Sequence, residues 1–233
     1  MGKRIIQQRR GKGSPTYTTK EKSFSIKLAY PVSEGKGTIL KLINSLGYTA
    51  PFALIRSNNK TFFNVATENI FEGKEIQIGE KAEIQSGNIL PLKSIPIGTD
   101  ICNIEMYKSS GGKIVRTSGS YASIIKKVGN KISLLLPSKK EMTFDGDVMA
   151  TIGKVAGGGR TDKPLVKAGR KFFLLRARCR HYPRTSPIKR NAVNHPFGGG
   201  RGKNMGKPSI APRWAPAGRK VGLLRPRRTG VRK

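Results

Sequence analysis

Short apolar or alternating stretches, separated by turn-forming residues, fill the middle of the chain. A first group covers 37–43 (GTILKLI), 51–56 (PFALIR), 61–66 (TFFNVA) and 74–78 (KEIQI). A second group covers 101–107, 113–117, 121–128, 131–136 and 148–155. Alternation over so few residues is typical of half-buried strands, and no helical period is sustained in this region. The pattern predicts an all-β middle.

Turn-forming residues divide these stretches. Asn58-Asn59 predicts a turn inside the first group, and Gly129-Asn130 predicts a two-residue hairpin inside the second. The two groups are separated by 86–100 (SGNILPLKSIPIGTD), where two prolines cannot donate to a sheet, so we predict a connector there rather than a central strand. Two sets of four or five strands favour two small barrels; one larger barrel is the alternative.

Charge is concentrated at the two ends of the chain. The 233 residues carry 46 Lys and Arg against 13 Asp and Glu, a net charge of +33. Residues 1–30 contribute +7, residues 31–150 only +4, and residues 151–233 +22. Such an excess calls for a polyanionic partner, and nucleic acid is favoured because its phosphates are neutralised with release of counterions.

A membrane partner and an export signal are both disfavoured. No stretch approaches the roughly 20 apolar residues of a membrane span. The basic start MGKRIIQQRRGKGS is not followed by an apolar region of the kind found in secretory signals, and Ile6 stands where a myristoylation motif has Ser or Thr. We therefore expect a cytoplasmic protein.

The last third of the chain has the composition of an RNA-binding arm. Residues 151–233 hold 13 of the 28 Gly and eight of the 14 Pro. Such a segment cannot bury enough apolar surface to offset the entropy lost on ordering by itself. A plain flexible linker would explain that composition. It would not explain the single aromatic residues, such as Tyr182, Phe197 and Trp214, placed among Arg and Lys, which suit stacking on RNA bases. We predict an arm that orders on RNA.

Two glycine triplets, each followed by Arg, stand out in that arm: Gly157-Gly158-Gly159-Arg160 and Gly198-Gly199-Gly200-Arg201. Glycine allows backbone N–H groups to approach a phosphate, and Arg can bind one with two hydrogen bonds. A flexible turn is the plain alternative. The sequence around neither triplet matches a nucleotide-binding P-loop.

The sequence gives little support for a catalytic site or a metal-binding site. Cys102 and Cys179 form no metal-binding pair, and Cys179 with His181 supplies two of the four ligands that zinc usually takes. With His181 and His195 as the two histidines, no nucleophilic triad or carboxylate cluster is indicated. An enzyme acting on RNA is the competing hypothesis, and we predict no enzyme activity, no metal site and no cofactor apart from Mg²⁺ accompanying RNA.

Three long motifs resemble the L-two family of large-subunit ribosomal proteins. They are VAGGGRTDKPLVKAGR (155–170), NAVNHPFGGGRGKNMGKPS (191–209) and APAGRKVGLLRPRRTGVRK (215–233). The opening residues and 86–105 are similar to that family as well. Phe197, the GRKVG segment and the MGKR start resemble the archaeal or eukaryotic type rather than the bacterial one, and the absence of a long eukaryotic-style tail favours the archaeal type. Asn194 stands where the family has an acid, Arg190 where it has Met, and 31–50 diverges.

The resemblance implies a structural protein of the large ribosomal subunit in the cytoplasm. It implies a basic extension over 1–30, an OB-like barrel over 31–85, an SH3-like barrel with its preceding linker over 86–160, and a basic extension over 161–233. Implied partners are large-subunit rRNA, neighbouring ribosomal proteins and the small subunit, with support for the RNA around the peptidyl-transferase centre. A free-standing RNA chaperone is the alternative, and no membrane is involved.

The residues expected to contact rRNA are cationic residues of both arms, both glycine triplets, one histidine and one tryptophan. They are Arg9, Arg10, Lys12, Gly157, Gly158, Gly159, Arg160, Lys167, Arg170, His195, Gly198, Gly199, Gly200, Arg201, Lys207, Arg213, Trp214, Arg219, Lys220, Arg225, Arg227 and Arg228. We expect His195 to have a positional role and no part in proton transfer, with its imidazole donating to RNA or to its own loop.

Overall fold

A computed structural model of the chain describes residues 2–31 and 33–227. Residues Lys20–Lys167 form one compact unit, here called the β unit. Met1–Thr19 and Ala168–Lys233 together form a second one, here called the arm unit. The two ends of the chain, which the sequence suggested as separate extensions, therefore belong to the same compact body.

Strand is the main secondary structure, which confirms the all-β prediction for the middle of the chain. The first four strands are β1 Gly35–Ile43, β2 Phe52–Ser57, β3 Lys60–Val65 and β4 Glu75–Ile78. The others are β5 Ile89–Pro91, β6 Asp100–Cys102, β7 Ile104–Glu105, β8 Gly112–Ile114, β9 Ala122–Val128, β10 Lys131–Leu135, β11 Glu141–Asp145 and β12 Met149–Ile152.

Both predicted turns lie where the sequence placed them. Asn58 and Asn59 have φ angles of 46° and 60° and join β2 to β3, with Ser57 paired to Lys60. Gly129, with φ of 55°, opens the turn between β9 and β10. Positive φ in a two-residue loop matches the twist of the flanking strands, which explains why Asn and Gly occupy these positions.

Ten strands of the β unit are joined into one sheet, in the order β11-β10-β9-β6-β12-β5-β4-β1-β2-β3. The pairs are antiparallel except for β4 with β5, which run parallel and pair through Ile78 and Ile89. This one short contact joins the strands of the first group to those of the second. Strands β7 and β8 form a separate two-stranded sheet.

The prediction that 86–100 is only a connector is wrong. Strand β5 lies between β4 and β12, and all three of its residues are buried. Pro91 is tolerated because it is the last residue of the strand. The neighbouring Leu92 then donates its N–H to the carbonyl of Val148, 2.9 Å away, so the missing proline donor costs no hydrogen bond inside the sheet.

Three further elements escaped the sequence analysis. Strand β11 pairs with β10 at the edge of the sheet; its sequence EMTFD does alternate, but the pattern covers only five residues and only Phe144 is buried. Two helices, α1 Ile6–Gly11 and α2 Ala168–Ala177, lie in the arm unit. Neither helix has a buried face of its own, which removes the 3.6-residue period by which helices are found. In the described residues no helix has the length and apolar character needed to cross a membrane.

The β unit has two main hydrophobic clusters and a third, smaller one. One cluster contains Ile39, Ile55 and Ile76 from the first strand group, and the largest contains residues from Leu90 to Ile152. The third joins Phe52 and Val65 of the first group to Cys102 and Val155 of the second. Burial raises the pKa of the Cys102 thiol, which keeps it protonated.

Hydrogen bonds between buried polar groups also tie the two strand groups together. The Tyr30 hydroxyl donates to the carbonyl of Asn103 at 2.6 Å and lies 2.7 Å from the Thr151 hydroxyl oxygen. The Asn103 amide nitrogen donates to the side-chain oxygen of Asn64 at 2.7 Å. Burial raises the pKa of Tyr30. Because such groups are costly to bury unpaired, they fix the relative placement of the strands that carry them.

Candidate nucleic-acid interface

Positive charge is unopposed in the arm unit. Its sequence contains 24 Lys and Arg and no Asp or Glu, whereas the β unit contains 22 Lys and Arg with all 13 acidic residues. No acidic side chain inside the arm unit can therefore neutralise a cation. A folded body with this composition repels itself unless an anion binds to it.

The N-terminal segment packs on the C-terminal segment within the arm unit. Lys3 donates its backbone N–H to the carbonyl of Val193 at 2.8 Å, and the side chain of Ile5 is buried. Gln8 accepts from the backbone N–H of Ile5 at 3.0 Å, which caps the start of α1. The apolar anchor and the cap together hold the short cationic helix in place.

The N-terminal site residues predicted from sequence are all exposed. Arg9 and Arg10 are carried by α1, and Lys12 follows its last turn. The Arg9 guanidinium donates to the carbonyl of Arg4 at 3.1 Å, which directs this side chain along the arm. Arg10 instead lines a pocket with residues of the C-terminal segment.

The loop around His195 is closed by its own hydrogen bonds. The backbone N–H of Phe197 donates to Nδ1 of His195 at 3.1 Å, and the N–H of Gly198 donates to the His195 carbonyl at 2.9 Å. The imidazole therefore accepts from its loop, and the expectation that it donates to that loop is wrong. With Nδ1 occupied as an acceptor, the neutral ring carries its proton on Nε2.

Burial determines the charge of this histidine. His195 is only 4% exposed. Burial lowers its pKa, and the positive charge of Arg190 lowers that pKa further. Both effects favour the neutral imidazole with a proton on Nε2, a hydrogen-bond donor and a poor base.

The two glycine triplets differ in what their backbone can offer. Gly198 and Gly199 donate their N–H groups inside the protein, to the carbonyls of His195 and Arg190, at 2.9 and 3.0 Å. In the first triplet, Gly157 and Gly159 have φ of 78° and 70°. That triplet is exposed, and its N–H groups make no hydrogen bond within residues 2–31 and 33–227. Only the first triplet has all its N–H groups free for phosphate binding.

Glycine is required at position 198 because a side chain would not fit there, and not because the residue binds a ligand. A Cβ at Gly198 would overlap the carbonyl oxygens of Arg190 and Asn191, whereas a Cβ at Gly200 would meet nothing within 4 Å. We expect Gly198→Ala to destabilise the loop by about 1–3 kcal/mol, because two backbone carbonyls would have to move, and Gly200→Ala to change it by less than about 0.5 kcal/mol.

The measurement is hydrogen exchange at the backbone amides of Phe197 and Gly199, which report the loop directly. Faster exchange in Gly198→Ala and unchanged exchange in Gly200→Ala is the expected pair of results. Equal exchange in the two variants would show that the close approach to the carbonyls has no structural weight.

The remaining predicted site residues lie in two different bodies. Gly157, Gly158, Gly159, Arg160 and Lys167 belong to the β unit, where the Arg160 guanidinium donates to the Ser118 hydroxyl at 3.1 Å. The others belong to the arm unit. There Arg213 lies over the Trp214 ring at 5.3 Å, the ring is 87% exposed, and Lys220 donates to the carbonyl of Arg213 at 3.1 Å.

Several other arm residues are exposed to solvent. These are Arg170 on α2, Arg201, Lys207, Arg219, Arg225 and Arg227. Of them, Lys207 and Arg219 lie on the same cavity as His195. Arg228 lies outside the described residues.

Two depressions meet at His195. The larger is a cavity of about 730 Å³ between the N-terminal segment and residues 192–221, here called the apolar cavity. The smaller, about 310 Å³, is lined by Arg10, Arg180, Arg184, Arg190 and His181 and is here called the arginine pocket. Four of these residues were not predicted from the sequence, because their grouping depends on the chain ends coming together.

The described residues do not form a candidate metal-binding site. No cluster of three or more His, Cys, Asp or Glu that could hold a metal ion occurs in the part of the chain that the structure describes. The Cys179 thiol instead donates to the carbonyl of Thr18 at 3.1 Å. What the arm unit offers chemically is hydrogen-bond donation and positive charge.

Comparisons with known proteins agree on one family. Residues 85–215 match the family described as Ribosomal Proteins L2, C-terminal domain. The chain is similar to the large ribosomal subunit protein uL2 of Methanococcoides burtonii, at 44% identity covering 100% of both chains. The proteins of the same name from Korarchaeum cryptofilum and Archaeoglobus fulgidus are 42% and 41% identical, over 99% and 100% of this chain and 96% and 100% of theirs.

Proposed function

The chain belongs to the L2 family of large-subunit ribosomal proteins, of archaeal type, and on that premise we propose that it holds large-subunit rRNA together through its cationic arms. Proteins of this family are structural, non-enzymatic components of the ribosome. The chain accordingly acts in translation, as part of cytoplasmic ribosomes, among rRNA and other ribosomal proteins. Membership of this non-enzymatic family also excludes the competing hypothesis, an enzyme that acts on RNA.

The observation that carries the rRNA proposal is the composition of the arm unit. Its 24 Lys and Arg without one acidic residue require an anion of high charge density, and RNA supplies one phosphate per nucleotide. The exposed Trp214 ring with Arg213 over it supplies a stacking surface for an unpaired base. Phosphate contacts position the protein, and stacking adds contacts with bases.

The contacting residues that we propose are those named from the sequence. Exposed Lys and Arg of the arm unit bind phosphates, and the free N–H groups of Gly157–Gly159, beside Arg160, bind a phosphate at the β unit. For Gly198 and Gly199 the proposal changes: they shape the loop that presents His195, and Gly200 with Arg201 remains available to RNA.

Within the β unit we propose an OB-like barrel over 31–85 followed by an SH3-like barrel over 86–160. The two larger hydrophobic clusters fall mostly on opposite sides of this division, and within the ten-stranded sheet only the short pair of β4 with β5 joins the two sides, which supports the proposal. The basic extensions then cover 1–30 and 161–233. A contact with the small subunit, and support for the RNA around the peptidyl-transferase centre, complete the proposal and derive from the family.

A free-standing RNA chaperone is the alternative function, and washing with salt separates the two. If the protein is a constituent of the large subunit, it should sediment with large subunits after a high-salt wash, because many phosphate contacts and trapped arms must release together. The measurement is quantitative immunodetection across a sucrose gradient, with a permanent large-subunit protein as the control. Loss of the chain into the soluble fraction while that control stays bound would favour the chaperone.

A further inference from the structure

His195 forms the wall between two depressions of opposite chemical character. Within the described residues it is the one residue common to the lining of the apolar cavity and of the arginine pocket. Its Nδ1 is occupied by the N–H of Phe197, and its Nε2 makes no hydrogen bond in the described part of the chain. The side chain is therefore held rigidly, with one donor left unused.

The apolar cavity has the size and lining of a site for a flat aromatic group. Its volume of about 730 Å³ lies within the roughly 300–1,000 Å³ of small-molecule pockets. The walls include Ile5, Pro196, Phe197 and Ile210, and the Phe197 ring lies 5.4 Å from the imidazole. The charged residues in its lining are all cations: Lys3, Arg4, Lys207 and Arg219. A lining that combines apolar side chains with cations suits a ring attached to an anionic chain.

The arginine pocket has the chemistry of a phosphate site. Four arginines line its volume of about 310 Å³, together with His181, and no carboxylate belongs to the lining. Arg binds phosphate with paired hydrogen bonds, and it cannot lose its charge. Of the four, Arg190 donates to the carbonyl of Thr185 at 2.9 Å, which fixes its position.

We propose that the two depressions together hold one nucleotide of the rRNA, with its unpaired base in the apolar cavity and its phosphate in the arginine pocket. This inference rests on the proposed rRNA binding and names the group that the arm unit recognises. A base and its own phosphate are separated by one sugar, and the two depressions are separated by one imidazole ring. His195 donates from Nε2 to the nucleotide, so the residue positions RNA without exchanging protons.

Photo-crosslinking of the full chain tests the proposal. The chain is bound to a transcript of the large-subunit rRNA of Methanococcoides burtonii and irradiated with short-wavelength ultraviolet light. After digestion, mass spectrometry locates the peptide–nucleotide adducts. An aromatic ring stacked on a base gives a direct adduct, so we expect one at Phe197 or His195 in the unmodified protein.

Filling the cavity should remove that adduct. Ala217 is exposed and lines the cavity, so Ala217→Phe places a ring inside it without disturbing a buried contact. Loss of one stacked base should lower affinity for the transcript about tenfold, and at saturating protein the adduct should vanish while adducts elsewhere in the arms persist. The matched control is Ala168→Phe, an exposed alanine of α2 away from the cavity, which should change neither.

The phosphate half has its own matched pair. The double variant Arg180→Gln, Arg184→Gln removes two charges from the arginine pocket. The double variant Arg201→Gln, Lys203→Gln removes two charges from an exposed part of the same arm. Both should weaken overall binding, but only the first should reduce the adduct at Phe197 or His195 at saturating protein, because only there is the phosphate of the trapped nucleotide released.

The outcomes separate this inference from the function on which it rests. Adducts in the arms with none at Phe197 or His195 would overturn the nucleotide site and leave rRNA binding intact. An adduct unaffected by Ala217→Phe would do the same. Failure of the chain to bind the transcript in a filter assay would overturn both. In large subunits isolated from cells, a protein cross-link at Phe197 in place of a nucleotide would assign the cavity to a neighbouring ribosomal protein.

Discussion

The affinity of the chain for large-subunit rRNA is expected to fall steeply as salt is added. If about ten phosphates are neutralised, the plot of log affinity against log salt concentration should have a slope on the order of −7 to −9. Between about 50 and 200 mM salt that corresponds to a loss of roughly 10⁴- to 10⁵-fold. Filter binding to the rRNA transcript over this salt range measures it.

Charge removal identifies which segment carries this effect. Arg201, Lys203, Arg225 and Arg227 are exposed cations of the C-terminal segment. Changing all four to Gln should make the slope shallower by roughly three to four, because each charge accounts for about 0.7–0.9. Deletion of 201–233 would remove eleven Lys and Arg at once, but it would also remove the buried Ala211 and a wall of the apolar cavity. Substitution is therefore the cleaner test.

The matched control removes four exposed lysines of the β unit, Lys60, Lys81, Lys131 and Lys140. We expect its slope to change by less than about one. If the two quadruple variants flattened the slope equally, the grip on RNA would be spread over the whole surface, and the arm unit would have no special part in it.

Local signals in the sequence were sufficient wherever neighbouring residues decide the structure. The strands β2, β3, β9 and β10 and their tight turns follow from alternation and from Asn or Gly at positive φ. Elements whose burial depends on distant partners escaped. Strand β5 is buried only because β4 and β12 flank it. The general rule that proline is unsuited to a central strand does not reveal that Pro91 is the last residue of β5, where no backbone N–H is needed for the sheet.

The candidate site shows the same division. Sequence reasoning found the excess of charge, the glycine triplets and His195. It assigned all three glycines of the second triplet to RNA, whereas Gly198 and Gly199 serve the loop itself. The arginine pocket could not be predicted, because Arg10 meets Arg180 and Arg184 only when the two chain ends pack together, and nothing in either segment alone indicates its partner.

His195 is expected to act through the position of its two nitrogens and not through its charge. Nδ1 accepts from the Phe197 amide, which closes the loop, and Nε2 is left to donate. Two amide side chains separate these roles. Asn places an oxygen near the position of Nδ1, where it can accept the same amide two residues on, and Gln reaches toward the position of Nε2 but leaves the loop without its acceptor.

We expect His195→Ala to impair assembly most, because the partly buried N–H of Phe197 loses its partner, at a cost of about 1–3 kcal/mol, and the cavity wall is lost as well. His195→Asn should restore the hydrogen bond that closes the loop, and His195→Gln should restore only the donor at the position of Nε2. Hydrogen exchange at the Phe197 amide reports the hydrogen bond that closes the loop. Incorporation into large subunits reports that bond and the donor at the position of Nε2 together. Equal recovery by Asn and Gln would show that the bond to Nδ1 has no structural importance.

The pH dependence gives the sharpest separation of a positional role from proton transfer. Because burial and Arg190 lower the pKa of His195 below its unfolded value of about 6.5, the unfolded loop binds the proton more readily than the folded one. Its contribution to stability is then complete above about pH 6.5 and is lost as the pH falls below that value, through the lower pKa of the folded loop. We expect exchange at Phe197 to quicken between about pH 7 and 5 in the wild type but not in His195→Asn, which cannot titrate. Peptide-bond formation by fully assembled His195→Asn subunits should keep the wild-type pH profile above neutrality. Loss of both the rate and its pH dependence in those assembled subunits would show that His195 exchanges protons after all.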